Sequence, residues 1–405
     1  MEFEKFDAHD GNATLKVNNI LLYSKYRPLT EVKKFIESEI NNEAKGYLLI
    51  GLGLGYHLKA LANLVEEKKP IIVFALDEKE IALYQSVYYS EKLLDNITIT
   101  TDFKEISIPN DFQIIMPHVW LQVMDKGHPL YYLLMDIKIK QMSYKRFFSM
   151  MRKNFHENVQ QNYFGLTEYK ENMQNTNIAC LISSGPSLNL TKKWLGNIRS
   201  KVYLLCVGSA LKVLLKENIV PDAVIITDCQ SNIVDQFNDS GYTGDLFFLS
   251  TADFNTVRQH QGKKSILMQE GYDLAECFVE KKSYPLLETG GSVATAGYSL
   301  LEYLEFRTII LFGQDLGFAN ENTHAMNSTS GRELLMDEEF IEIESNTQEL
   351  IKTLPNLNSY LRWFNRKCRV SKCQVYNTAE KGAKIEGVPL INEERFYALI
   401  KKTID

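Results

Sequence analysis

From Asn177 to Gly317 the chain repeats one pattern: a short apolar run rich in Ile, Val and Leu, a few small or polar residues, then a helical period. Ile178–Ile182 leads into Ser183-Ser184-Gly185-Pro186-Ser187-Leu188-Asn189, and Val202–Cys206 into Gly208-Ser209-Ala210. Ala223–Thr227 ends at Asp228, Leu246–Leu249 ends at Ser250-Thr251-Ala252-Asp253, Gly290-Gly291-Ser292 opens a helix, and Thr308–Phe312 leads into Gly313-Gln314-Asp315. Strands that are apolar on both faces and separated by helices require a largely parallel sheet covered on both sides, which fixes the class as α/β. Open α/β sheets bind ligands at the carboxyl ends of their strands, so these polar turns are expected to line one crevice.

A second α/β unit precedes it. Tyr47–Ile50 reads as a strand, Gly51-Leu52-Gly53-Leu54-Gly55 as a tight turn, Tyr56–Glu67 as an amphipathic helix and Ile71–Leu76 as a strand ending at Asp77. This is a Rossmann-like βαβ half. Its glycines and Asp77 suit either a nucleotide or S-adenosylmethionine site, or a packing turn followed by an ordinary strand-end acid. Tyr131 to Lys170 is helical throughout and bridges the two units. After Glu333 a helical stretch, Glu342–Lys367 interrupted at Pro355, is expected, and the tail from Cys373 to Leu390 returns as a strand and loop. The expected organisation is an N-terminal domain over residues 1–130, a helical linker over 131–170, a ligand-binding domain over 171–335 and a small, mainly helical C-terminal region over 336–405. Two or three domains suit 405 residues.

Composition narrows the partners. Lys+Arg number 45 against 51 Asp+Glu, a formal charge of −6, which argues against a broad nucleic-acid footprint. No apolar run approaches the roughly 18 residues of a membrane helix, and Met1–Asp10 lacks the pattern of a secretory leader. Six scattered cysteines fit reduced thiols, so a cytoplasmic location is expected.

Chemistry is carried by four groups of residues. Gly185 permits a tight turn, Pro186 fixes φ before a helix, and Ser187 offers a hydroxyl and an amide where anions are favoured, the makings of a phosphate or sugar cradle. Gly290, Gly291 and Ser292 repeat that arrangement, Ser292 being able to cap the following helix. Neither turn is a Walker loop. Asp228 can hold a ribose or a metal-bound diphosphate, but Cys229-Gln230 follow it instead of a second carboxylate, so no metal site and no cofactor are expected. Ser250, Thr251 and Gln314 occupy strand ends on the same crevice. Asp315 ends its strand and His324 lies in the loop beyond it, so the imidazole can take a proton from an attacking hydroxyl with Asp315 orienting it. The absence of Gly-x-Ser-x-Gly and His-Glu-x-x-His patterns removes the commonest hydrolase and metalloprotease classes and leaves nucleotide-activated group transfer.

Taken in order, Ser184-Gly185-Pro186-Ser187-Leu188, Pro221-Asp222 with Thr227-Asp228, Thr289-Gly290-Gly291-Ser292-Val293-Ala294, Gly313-Gln314-Asp315-Leu316 with Thr323-His324-Ala325, and Tyr376-Asn377-Thr378-Ala379-Glu380-Lys381-Gly382-Ala383 resemble the motility accessory factor (Maf) family of flagellin glycosyltransferases. The resemblance implies a sialyltransferase-like central domain that binds a CMP-activated nonulosonic acid and transfers pseudaminic or legionaminic acid to Ser or Thr hydroxyls of flagellin. It implies that Gly185, Pro186 and Ser187 contact the nucleotide and Gly290, Gly291 and Ser292 its phosphate, with Asp315 or His324 at the sugar or acceptor proton. Cys229 after Asp228, and Lys381-Gly382 in place of a double glycine, depart from the family pattern. Three other readings compete: a related archaeal-type 6-hydroxymethylpterin diphosphokinase using ATP and magnesium, an S-adenosylmethionine methyltransferase resting on Gly51–Gly55 and Asp77, and a non-catalytic flagellin-assembly factor.

Overall fold

The computed structural model describes residues 1–66, 68–89, 94–102, 112–128, 130–173, 177–198, 201–282, 284–318, 324–330 and 340–402. Contacts divide the chain into two units, Met1–Ser143 and Tyr144–Asp405.

In the first unit, β1 (Phe3–Asp7), β2 (Ala13–Val17) and β3 (Ile20–Leu21) form an antiparallel sheet, followed by α1 (Pro28–Glu39). Then come β4 (Gly46–Ile50), α2 (Tyr56–Ala62), β5 (Ile71–Phe74), α3 (Glu78–Val87), β6 (Ile97–Thr100), β7 (Phe112–Ile115) and α4 (Val119–Val123). The four later strands pair in parallel in the order β6-β5-β4-β7. Every residue of β4 is buried, as an apolar central strand requires. Helix α2 stops at Ala62, short of the expected Glu67, because the amides of Leu64 and Val65 both turn back to the Leu61 carbonyl. Helix α5 (Tyr131–Val159) runs across the division between the units.

The second unit contains α6 (Leu166–Asn172), β8 (Ile178–Ile182), α7 (Leu188–Thr191), β9 (Tyr203–Val207), α8 (Gly208–Leu215), β10 (Ala223–Ile226), β11 (Asp245–Leu249) and α9 (Phe254–Gln259). It continues with β12 (Lys264–Gln269), α10 (Asp273–Lys282), β13 (Leu286–Leu287), α11 (Val293–Tyr303) and β14 (Thr308–Phe312). The final elements are β15 (Ile341–Glu344), β16 (Leu350–Thr353), α12 (Pro355–Val370), β17 (Gln374–Asn377) and α13 (Glu393–Lys402). Eight strands form one sheet in the order β13-β12-β11-β10-β9-β8-β14-β17, and every neighbouring pair is parallel. This is the expected α/β class.

Strand order runs outward from β8 to β13, then returns to place β14 and β17 on the other side of β8. The direction of winding therefore reverses between β8 and β14, the position at which such sheets open a crevice. The register Thr308↔Ile178 through Phe312↔Ile182 brings both strands to an end side by side. Ser183 and Gly313 are consequently the first residues past the sheet on each strand.

Other local expectations also differ from the structure: the expected helical stretch from Tyr131 to Lys170 is interrupted between α5, which ends at Val159, and α6, which starts at Leu166. The stretch before Pro355 is an antiparallel hairpin, β15–β16, and not a helix: Ile-Glu-Ile-Glu alternates with period two, and Ile343 pairs with Ile351. Among its described residues the C-terminal region is thus a hairpin, two helices and a strand of the main sheet. Strand β12, not expected from the sequence, lies in the sheet between β11 and β13. The Glu333 boundary and Thr323 lie outside the described residues.

Candidate functional site

A cavity of about 320 Å³ opens at the β8–β14 switch point. Four elements wall it: the turn after β8 (Ser183, Ser184, Gly185), the first turn of α11 (Ser292, Val293, Ala294), the loop after β14 (Gly313 to Phe318) and the first turns of α12 (Leu354, Asn356, Leu357, Tyr360). Ser209, His324 and Ser330 complete the polar lining.

The two strand-end turns are locked together. Gly185 donates its N–H to the Gly313 carbonyl at 2.9 Å, and a Cβ on Gly185 would stand 2.1 Å from Asp315 Oδ2 and 2.5 Å from that carbonyl. Only glycine fits. Gly313 has φ +61°, and Leu316, two residues beyond Gln314, also has a positive φ of 54°, an uncommon conformation for a branched apolar residue.

Asp315 is buried, and its Oδ2 accepts the Ser187 hydroxyl at 2.8 Å and the Ser187 amide at 3.2 Å. Burial pushes its carboxyl up to about 6, with the Ser187 hydrogen bonds opposing the shift. Its carbonyl is held by the amide of Ala383, so the loop is braced from the C-terminal segment as well. Gln314 is 5% exposed; its Oε1 accepts the Ser183 hydroxyl at 2.7 Å. Ser209 donates to the Ser184 hydroxyl at 2.9 Å.

His324 is brought to the cavity by the residues that follow it. Ala325 donates its N–H to the Ser184 carbonyl, Met326 to Asn189 Oδ1, and Asn327 Oδ1 accepts from Lys216. Helix α12 is tied to the turn before α11 through Glu288, whose carboxylate accepts from Trp363 Nε1, Arg366 and Lys367. Lys367 also pairs with Glu302 of α11. The Trp363 ring fills the space that a side chain on Gly290 would occupy.

The residues singled out from sequence therefore separate. Gly185, Gln314, Asp315, Ser292 and His324 line one cavity. Pro186 and Ser187 do not line it, the Ser187 hydroxyl donating to Asp315, and Gly290 and Gly291 form the turn leading into α11. The amide of Gly185, an expected phosphate donor, is likewise engaged by Gly313. Asp228 does not line the cavity; it is exposed and accepts from its own Gln230 in a local turn. Ser250 and Thr251 are buried: their side chains bond Gln269, and their carbonyls accept from Asn158 and Asn154 of α5. Missed from the sequence were Asn356, Leu357 and Tyr360, whose only signal was Pro355 at a helix start.

Among the described residues that line the cavity there is one carboxylate, Asp315, one imidazole, His324, and no Lys or Arg. Among the described residues no group of three or more His, Cys, Asp or Glu could hold a metal ion, and no helix is long and apolar enough to cross a membrane.

Comparison with a solved structure places this architecture. Over the full length of this chain and 74% of its own, the Maf glycosyltransferase of Magnetospirillum magneticum AMB-1 superposes with a TM-score of 0.51 at 13% identity. The two chains share a fold. The family model for 6-hydroxymethylpterin diphosphokinase MptE-like proteins matches residues 152–321, under half of the chain but the part that contains β8 to β14. An uncharacterized protein of Treponema pallidum (strain Nichols) is 39% identical over 80 residues, which are 19% of this chain and 26% of that protein's length.

The glycine-rich turn of the first unit is filled by the protein itself. The buried Glu80 carboxylate accepts the amides of Leu52 and Gly53 on Oε2, and those of Leu76 and Asp77 on Oε1. Side chains on Gly51, Gly53 and Gly55 would collide with Trp120, with Tyr23 and Leu22, and with Tyr84. Asp77 caps α3 through the Lys79 amide in a capping box with Glu80. Of the two readings of this turn, the packing turn fits the geometry: its donors hold an internal carboxylate, and its acid is a helix cap.

Proposed function

We propose that the protein is a glycosyltransferase that moves a nonulosonic acid from a CMP-activated donor to a Ser or Thr hydroxyl of flagellin. The carrying observation is the cavity at the β8–β14 switch point, where Gln314, Asp315, His324 and the start of α11 meet on a fold shared with a Maf glycosyltransferase. In this reading the acceptor oxygen bonds to the anomeric carbon, the bond from that carbon to the phosphate oxygen breaks, and CMP leaves with the electron pair. His324 takes the hydroxyl proton. Asp315, bound to Ser187, holds the β14 turn in place rather than touching the proton, and capped α11 faces the phosphate. CMP is a good leaving group, so positioning and hydrogen-bond donors supply most of what the reaction needs.

The MptE-like match favours a second reading, a diphosphokinase using ATP and magnesium. That chemistry calls for carboxylates beside the phosphates. The one carboxylate among the described lining residues, Asp315, is already engaged by Ser187, and Asp228 lies outside the cavity. Calorimetric titration separates the two: CMP is expected to bind in the absence of magnesium, and binding of ATP–magnesium with no heat from CMP overturns the transferase reading.

A further inference from the structure

We propose that the cavity is a receptor for a single phosphate, with no Lys or Arg among its described lining residues, built from two converging helix starts, α11 and α12, and the Gln314 side-chain amide. The inference rests on the cavity serving a nucleotide, as in the transferase reading, but it concerns what holds the anion and adds α12, which no comparison assigns.

The first N–H groups of a helix have no acceptor within the helix. In α11 the Ser292 side chain takes the Thr295 amide, and in α12 the Leu354 carbonyl takes the Asn358 amide. The amides of Val293 and Ala294, and of Asn356 and Leu357, have no acceptor among the described residues, and all four residues line the same cavity. Each helix also brings the positive end of its dipole; α11 has 11 residues and α12 has 16.

An independent observation points to the same occupant. Gln314 is 95% buried and lines the cavity, yet one end of its amide has no partner among the described residues: Oε1 accepts Ser183, and Nε2 has no acceptor. Exchanging the oxygen and nitrogen would leave the other atom unpaired, so in either assignment this buried side chain turns one unpartnered polar atom to the cavity. An oxygen-rich anion satisfies it together with the free amides.

The Glu288 clamp to Trp363, Arg366 and Lys367 keeps the start of α12 opposite the start of α11. Without a lysine or arginine among the described lining residues, the receptor suits the modest charge of one phosphate diester or monoester better than a triphosphate chain.

Backbone donors can be removed one at a time with proline, which is tolerated in the first helical turn. Val293 is the first residue of α11, and Ser292 before it is extended (φ −123°, ψ 160°), the conformation that a following proline requires. Val293→Pro therefore deletes one N–H and leaves the helix, while Val293→Ala retains it. The expected result for the full chain is a CMP affinity about tenfold lower in V293P and near wild type in V293A, with cytidine bound far more weakly than CMP by both. Gln314→Glu, which sets a carboxylate against the phosphate, is expected to abolish CMP binding. Thermal melting checks that each variant folds; should V293P fail to fold, Gln314→Glu and the cytidine comparison decide.

Unchanged CMP affinity in folded V293P or Q314E, or cytidine binding as tightly as CMP, overturns the receptor while leaving the transferase reading standing. Inorganic phosphate, AMP or ATP–magnesium binding with the same sensitivity to V293P, and no preference for CMP, upholds the receptor and removes the cytidine donor. No binding by any of these probes overturns the receptor.

Discussion

Asp315 receives both the hydroxyl and the backbone amide of Ser187 across 128 residues of chain, so the turn after β8 and the turn after β14 are held by one carboxylate. Burial raises that carboxyl from 3.8 to about 6, and an acid raised on folding has a definite linkage. The folded protein binds the proton more tightly than the unfolded chain; the resulting stabilisation is complete below about pH 4 and is lost as pH rises through 6. Asp315→Asn should remove this pH-dependent part, on the order of 3 kcal/mol at most. The check is the wild-type minus variant difference in unfolding free energy between pH 4 and 8, taken as a difference because Glu80, raised to about 7, contributes in the same direction. A flat difference removes the assignment.

Gly185→Ala tests the close approach directly. Its Cβ would meet a backbone carbonyl at 2.5 Å and, at 2.1 Å, Asp315 Oδ2, a side-chain oxygen held in place by Ser187. A destabilisation of about 1–3 kcal/mol is expected, together with loss of CMP binding. Gly196→Ala, where an added Cβ meets nothing within 4 Å, should change neither. Urea unfolding and calorimetry read both quantities.

His324→Ala separates chemistry from binding. With the histidine as base, turnover should fall about 10²–10⁴-fold while the CMP affinity stays within about twofold. Wild-type turnover in this variant would remove His324 from the proposed reaction, whatever the donor.

Strands β8, β9, β10, β11 and β14 of the large sheet were legible because short Ile-, Val- and Leu-rich runs punctuated by Gly, Ser and Asp leave few alternatives, whereas β12 and β13 were not expected. Gly185, Ser292, Gln314, Asp315 and His324 were legible for the same reason: each follows the end of a strand or precedes a helix on the carboxyl edge. Asp228, Ser250 and Thr251 share that edge, but strand order is a tertiary property. Strand β10 lies two places from β8, and β11 three, so their ends lie away from the switch point. The contribution of α12 was hidden by the hairpin before it, whose Ile-Glu alternation sits beside a helix and was absorbed into that helix. Glu80 was unreadable because nothing in a helical Glu tells that it reaches back to a turn nearly thirty residues earlier.

That reach gives the last prediction. Glu80 uses two oxygens to accept four backbone N–H groups from the Gly51–Gly55 turn and the end of β5. Glu80→Gln replaces one oxygen with a donor, which then faces two buried N–H groups instead of accepting them. Each buried donor left unpaired costs about 1–3 kcal/mol, so the first unit should lose several kcal/mol. Because Glu80 and all its partners belong to residues 1–143, hydrogen exchange should quicken in β4, α2 and α3, with CMP affinity in the second unit unchanged. Loss of CMP affinity in E80Q, with the second unit's exchange also raised, would show that the two units fold as one cooperative body. Protection unchanged in β4 and α3 would mean that the Glu80 cluster does not hold the turn.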